Sequence, residues 1–377
     1  MRKNPADQRE LLAAAVLHVR SGRANSRSAL ADLMGLSRST AGLYVDQLIA
    51  SGHLNESGLE QGAMGRPKRT LASAPGAGWF AGVEFNAERI QVVRVDFSGR
   101  ATGSQTKPIQ SDPDTRTVLR EIKAAVALLS TNAAGPLLAI GAGAPGVVDP
   151  NRGVGLHYAF IPDWKNVPIA KTLRDRFQAP VTVDNNLRTI ALAEKWFGGG
   201  RDLDDYAILG PRAGFGIALV QQGRLTTGAH HAAGEIGLWP WPSIGKGSKD
   251  GELHDGLSAP AIWRRLAGIS VHAATPPNLR AALAPLATAT GPRWNEIIAE
   301  YARVLGCVQL LLDLETYFLH GPLTALGARF CQCIETEATR LIPSLSANPL
   351  KIVPSTLNDE AGALGAASMA MEAWKPD

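Results

Sequence analysis

A chain of 377 residues is too long for one ordinary core and predicts two or three domains. With 45% hydrophobic and 19% charged residues it reads as globular, and no apolar run reaches the roughly 18 residues of a membrane span. Three cysteines give no disulfide framework and point to a reducing, cytoplasmic setting. The formal net charge of +4 is concentrated: residues 1–75 carry ten lysines and arginines against six acids, and the rest of the chain is neutral. A basic module on a neutral body is the charge pattern of a phosphate-binding module.

Gln8–Val19 is apolar along one face and predicts a first helix. Its stretch Leu11–Leu17 is too short, and bounded by too many polar residues, for a signal peptide. Ser26 is a cap for a second helix, Arg27–Met34, which Gly35 stops and Leu36 plugs. Ser37 caps a third, Arg38–Ser51, which ends at Gly52. Two short helices joined by a Gly-containing turn form the helix-turn-helix arrangement. Leu36, Ala41, Val45 and Leu48 are the inward set. Ser37, Arg38, Ser39, Thr40, Gly42 and Leu43 are the candidate DNA contacts, with Asp46 outward where the helix leaves the groove. Arginine pairs with guanine, serine reaches either base type, leucine meets a thymine methyl, and glycine lets the backbone come close. The run His53-Leu54-Asn55 to Gly58, with Thr70-Leu71, predicts a two-stranded wing tipped by Gly65-Arg-Pro-Lys-Arg69. Arg66, Lys68 and Arg69 there suit a narrow minor groove. Alone the pentapeptide would be a solvated basic linker; following a complete helix-turn-helix, it reads as a wing.

Ala74-Pro-Gly-Ala-Gly78 has linker composition and separates a DNA-binding domain, residues 1–75, from a body, residues 79–377. Strands Trp79–Phe85 and Ile90–Phe97 flank the body's start, the second followed by the turn Ser98-Gly99-Arg100. A helix at Thr117–Leu129, a strand at Leu137–Ala142, a strand at Val181–Val183 and a helix at Thr189–Trp196 then give α/β alternation. The strand, Gly-Arg turn and Thr-Gly exit of Val92–Gly103 are echoed weakly at Ile217–Gly228, a hint of duplicated lobes. Trp294–Leu314 and Ala361–Ala373 read as late helices.

Four stretches carry a specific resemblance: Gly141-Ala-Gly-Ala-Pro-Gly-Val-Val-Asp149, Ile161-Pro-Asp-Trp-Lys-Asn-Val-Pro168, Val183-Asp-Asn-Asn-Leu-Arg-Thr-Ile-Ala-Leu-Ala-Glu194 and Ala233-Gly-Glu-Ile-Gly237. In this order they resemble the ROK family of repressors and sugar kinases, over essentially the whole chain and in its repressor branch. The resemblance implies an α/β fold: an N-terminal winged helix-turn-helix, then a two-lobed actin-like, ribonuclease-H-like ROK domain with a ligand cleft, in a homodimer or homotetramer. It implies effector residues at Gly143, Phe160, Asn185, Asn186, Glu235 and His254.

Departures from the family matter as much. Family kinases cradle ATP phosphate on an Asp-x-Gly-Gly-Thr loop; here the matching residues are Glu84-Phe-Asn-Ala-Glu-Arg89, without glycine and with Glu88 repelling phosphate. The family's catalytic base is an Asp after Asn; here Asn186 follows Asn185, and an amide takes no proton. Phe160, Leu238 and His254 replace an Asn, a His and a Glu of sugar-binding relatives, while Asn185 and Glu235 remain. The reading is a non-enzymatic regulator, a repressor by family default, whose sugar-like effector, if one exists, is altered. Its partner is double-stranded DNA with a palindromic operator, and no membrane is involved. A sugar kinase with an appended DNA-binding domain and a ligand-independent DNA-tethered scaffold are the rivals. No cofactor or metal is expected: the family's zinc-binding His and three Cys are missing from Leu238–Gly251. Cys331 and Cys333 fall on divergent faces of a helix, and His230-His231 reads as a loop feature. The Trp239-Pro-Trp-Pro242 run is a candidate for supplying by packing the order that zinc gives relatives.

Overall fold

The second and third helices each start where a serine satisfies an orphan amide. In the computed structural model, which describes residues 5–60, 68–109, 113–241 and 251–376, α1 spans Pro5–Arg20, α2 Arg27–Leu33 and α3 Arg38–Ala50. Ser26 accepts from the Ala29 amide at 3.3 Å and Ser37 from the Thr40 amide at 3.1 Å. Gly35 and Gly52 supply the left-handed residues that end α2 and α3. Strands β1 (Leu54–Glu60) and β2 (Lys68–Ser73) then pair antiparallel as a two-stranded ribbon. The tip residues Gly65, Arg66 and Pro67 lie outside the described residues.

The predicted linker holds one 3-10 turn, Pro75–Ala77, before the first large sheet begins. β3 (Trp79–Phe85), β4 (Arg89–Asp96) and β5 (Ala101–Pro108) form an antiparallel meander. After α4 (Thr115–Ser130), β6 (Leu137–Ala144) pairs parallel with β3. A small sheet of β7 (Val147–Asp149), β8 (Val154–His157) and β9 (Lys165–Val167) follows. Then come α5 (Ile169–Phe177), β10 (Val181–Asn185), which pairs parallel with β6, and α6 (Asn186–Phe197).

The second sheet repeats this plan. It comprises β11 (Tyr206–Pro211), β12 (Phe215–Gln221) and β13 (Arg224–Thr226), then a ribbon of β14 (Pro240–Trp241) and β15 (Gly251–Glu252). Helices α7 (Leu253–Leu257), α8 (Ala259–Ala267), α9 (Leu279–Leu283) and α10 (Pro292–Leu312) precede β16 (Thr316–Leu319). α11 (Gly327–Leu341), β17 (Ile352–Pro354) and α12 (Ala361–Ala373) complete the chain. The spatial orders are β5-β4-β3-β6-β10 and β13-β12-β11-β16-β17: a meander of three strands, its first strand flanked by two further parallel ones, in both. The Val92–Gly103 and Ile217–Gly228 echo therefore falls on equivalent hairpins, and the duplication it hints at is real in the topology.

By chain contacts residues 1–196 and 360–377 form one unit and 197–359 another, so the N-terminal helices share a unit with the first sheet. β3 is buried on both faces because its alternate residues enter different cores. Trp79, Ala81, Val83 and Phe85 join α4 and α5, while Phe80 meets α12. The small residues of α12 are demanded by that contact. A Cβ on Gly82 would lie 1.9 Å from the Ala363 carbonyl oxygen, and one on Gly141 would lie 1.7 Å from that of Ala366. The second unit has its own core around Tyr301, Tyr317 and Phe330.

The edge strand β5 escapes the sequence reading because Ala-Thr-Gly-Ser-Gln-Thr-Lys-Pro has no apolar alternation; its side chains are exposed or half-buried throughout.

Candidate functional site

The N-terminal module presents a polar face on α3. Ala41, Val45 and Leu48 are buried as expected, joined by Tyr44, with Leu36 half-buried beside them. Ser37, Arg38, Ser39 and Leu43 are exposed, Leu43 by 69%, and Thr40 and Gly42 are half-exposed. A large aliphatic side chain so far out of water-free surroundings needs another surface, or is tolerated as a lone apolar residue. Arg69 is exposed on β2, with its Nη1 3.5 Å from Glu56 Oε2; Lys68 opens the same strand.

Arg27 is the residue of this module that the sequence reading passed over. Its Nε and Nη2 donate to the two Glu56 oxygens at 2.7 and 3.2 Å, its Nη2 lies 2.7 Å from Asp46 Oδ1, and its Nη1 donates to the Gly42 carbonyl at 3.4 Å. Asp46 thus faces out but is held by an arginine. A Cβ on Gly42 would make only ordinary contact with Arg27 Nη1 at 3.9 Å, so internal packing does not demand glycine there.

The expected effector residues divide between the units: Gly143, Phe160, Asn185 and Asn186 in one, Glu235 and His254 in the other. Asn185 is buried, and its side chain bonds within the protein. Its Nδ2 donates to the Gly146 carbonyl at 2.8 Å, and its Oδ1 accepts from the Leu187 amide at 2.8 Å, capping α6. Asn186 donates through Nδ2 to Glu84 Oε1 at 3.2 Å, and Glu84 is buried at the end of β3. Gly143 is glycine for packing: a Cβ would lie 2.6 Å from Thr189 Oγ1 and 3.3 Å from the Asn186 Cα. Phe160 is 58% exposed, its ring 5.4 Å from that of Tyr158. In the other unit Gly234 and Gly237 let their loop touch β12; Cβ atoms there would fall 1.7 Å from the Ile217 oxygen and 2.2 Å from that of Phe215. Glu235 starts the 3-10 turn Ile236–Leu238. The His254 imidazole sits between Glu252 Oε2 at 3.3 Å and Asp255 Oδ1 at 3.4 Å, with Nδ1 3.1 Å from the Gly237 carbonyl.

The loop at the phosphate-cradle position closes on itself. Asn86 Oδ1 accepts from the Glu88 and Arg89 amides, both at 2.8 Å, and the Asn86 amide donates to the Arg89 carbonyl at 3.0 Å. A phosphate loop needs its amides free to face the anion; these two are used internally, and Glu88 is exposed.

Among the described residues no group of three or more His, Cys, Asp or Glu is placed to hold a metal ion, and no helix is long and apolar enough to cross a membrane. Cys307 is exposed, Cys333 half-buried and Cys331 buried, its thiol pushed up to about 12 by burial and then by Glu335.

Residues 80–373 match the ROK family, and the chain belongs to it. It is 28% identical over 216 residues to a xylose repressor of Caldicellulosiruptor bescii, covering 56% of this chain and 54% of that protein. The chain thus spans about half the length of the repressors it matches first. A glucokinase of Thermotoga maritima is 26% identical over 309 residues, 77% of this chain and 96% of its own. Among solved structures, a ROK family transcriptional regulator homologous to the Escherichia coli Mlc protein superimposes with a TM-score of 0.76 at 19% identity, covering 97% of both chains. A glucokinase from Streptomyces griseus in complex with glucose and AMPPNP superimposes at 0.64 and 22% identity, covering 78% of this chain and 99% of its own.

Proposed function

We propose that the chain is a sequence-specific DNA-binding transcriptional regulator, a repressor like the xylose repressors it resembles. Helices α1–α3 and the β1–β2 ribbon serve as its winged helix-turn-helix. The observation that carries this reading is the face of α3: Arg38, Ser39 and Leu43 project into solvent from a helix whose opposite side is fully buried. The fold likeness to a regulator across 97% of the chain, against 78% for the glucokinase, supports the reading. In it, α3 enters the major groove, Ser37 and Thr40 approach phosphate, and Arg66, Lys68 and Arg69 reach the minor groove or backbone. A homodimer or homotetramer presents two such helices about one duplex turn apart, on a palindromic operator.

The ROK body is proposed to have no kinase activity and to bind, if any small molecule, one unlike a simple hexose. The closed Asn86 loop and the amide of Asn186 support this. The glucokinase relative favours the second reading, a kinase carrying a DNA-binding module, and a coupled assay with ATP and glucose separates the two. For the DNA reading, duplexes selected from a random library should share a palindrome. Arg38→Ala should relax preference at one position of each half-site by about 1–3 kcal/mol. Lys68→Ala should weaken all sequences and reduce the salt slope by roughly one ion. Equal effects of the two substitutions would overturn this division of roles, and failure to select any sequence would overturn the function.

A further inference from the structure

Arg20, the last residue of α1, is buried with its charge inside the protein. Its guanidinium carbon sits 4.3 Å from the Phe97 ring centroid, 5.1 Å from Phe80 and 5.9 Å from Trp374. Nε donates to the Phe97 carbonyl at 2.8 Å and Nη1 to the Met371 carbonyl at 3.3 Å; among the described residues nothing accepts from Nη2. A buried arginine with an unmatched donor costs stability. Here it joins the N-terminal module to the first sheet.

Trp374, just past α12, completes the joint. Its ring meets Phe97 edge-on at 5.0 Å, and His53, from the turn after α3, lies 5.0 Å from Trp374 and 5.3 Å from Phe97. Lys375 pairs with Glu10 on α1 at 2.8 Å. The base of the joint is firm. α12 is seated against glycines of β3 and β6, and its Glu372 accepts from Lys195 Nζ at 3.2 Å and Trp196 Nε1 at 2.9 Å at the end of α6. The platform is particular to this hairpin: two residues before the turn glycine stands Phe97, whereas the duplicated hairpin has Gln221 at that place. One side of the joint is open, where a cavity of about 220 Å³ lies between Leu48, Ser51, His53, Leu138 and Trp374.

We infer that Arg20 and Trp374 are positioning residues: they latch the DNA-binding module onto the first sheet, so that the body, not a free linker, sets the direction of α3. This rests on the DNA-binding reading, and it makes the spacing of two half-sites a property of the whole molecule. A module on a loose tether would tolerate changed spacing at little cost, whereas a latched one would not.

The test compares wild type with Trp374→Ala, which removes a side chain at the chain end beside an existing cavity, and with Arg20→Ala. Each binds duplexes with one half-site of the selected palindrome, two at selected spacing, and two separated by roughly half a turn more, about five base pairs. Wild type should lose affinity by about a hundredfold with the added spacing, and the variants by less than about tenfold. All three should bind the single half-site alike. A second readout needs no DNA: elastase should cut within Ala74–Gly78 faster in both variants than in wild type, with α12 unaffected. Variants that keep the wild-type spacing penalty and protease resistance would overturn the latch, as would a wild type indifferent to spacing. A wild type that binds no DNA but whose joint opens on Trp374→Ala would instead overturn the DNA-binding reading.

Discussion

The Arg27 guanidinium grips the Glu56 carboxylate with two nitrogens, Nε at 2.7 Å and Nη2 at 3.2 Å, and so fixes the start of α2 to strand β1. The fork also reaches Asp46 and the Gly42 carbonyl on α3. One side chain thereby relates the proposed recognition helix to the proposed wing. The hydrogen bonds from Arg27 hold the Glu56 carboxyl below the usual carboxylate range.

Arg27→Lys tests that relation. A lysine keeps the charge but cannot serve two oxygens and a carbonyl in one plane. Because Arg27 is about a third exposed, global stability should change by less than about 1 kcal/mol. Affinity for the selected palindrome should fall about tenfold, the equivalent of ~1.4 kcal/mol. Fluorescence anisotropy titration measures it, and unchanged affinity would mean that ribbon and α3 need no such tie.

Ser37 combines two roles that substitution can separate. Its Oγ accepts from the Thr40 amide at 3.1 Å, so Ser37→Ala should cost about 1 kcal/mol of stability in urea unfolding. Ser37→Asp keeps a capping oxygen and gains from the helix dipole, yet places a negative charge where phosphate is proposed to approach. It should unfold like wild type and lose DNA affinity by about tenfold or more. Retained affinity in Ser37→Asp would remove Ser37 from the DNA face.

Much of the architecture was legible because local chemistry agrees with the final fold. The serine caps, Gly35, Gly52 and the small-residue run at Ala361–Ala373 each mark an element that the structure contains. The residues that join elements were not legible. In the sequence Arg20 and Arg27 only add to the basic excess of residues 1–75, and only the placement of Phe97, Met371, Asp46 and Glu56 distant in sequence gives them work. Asn185 shows another side of this: it fits a family ligand pattern, and its amide also bonds Gly146 and Leu187, contacts that spacing cannot reveal.

His320, at the end of β16, gives the fold a pH dependence. Burial, and then the Arg212 charge, pushes its pKa from 6.5 down to about 3. The native state therefore resists a proton that the unfolded chain binds. This contribution is fully present above about pH 6.5 and is lost as pH falls toward 3, at about 1.4 kcal/mol per unit. His320→Asn should be less stable at pH 7 but should flatten unfolding free energy against pH in that window. A parallel slope in wild type and variant would assign the acid sensitivity elsewhere.

Asn186→Asp restores the residue type of a kinase base and asks whether that change alone separates this chain from its enzymatic relatives. Asn186 Nδ2 donates to the buried Glu84 Oε1 at 3.2 Å. The substitution replaces that donor with a second carboxylate, and two adjacent carboxylates cannot both ionise readily. One of them should titrate above its ordinary value in the folded state. Such a group stabilises the fold below its unfolded pKa and loses that contribution as pH rises through the folded one. The variant should therefore lose stability relative to wild type by about 1–3 kcal/mol at pH 8 and recover much of it near pH 5. No phosphorylation of glucose should appear, because the Glu88 and Arg89 amides stay bound to Asn86. Turnover of ATP with glucose by Asn186→Asp would show that the closed loop is no barrier and that one amide is all that silences the site.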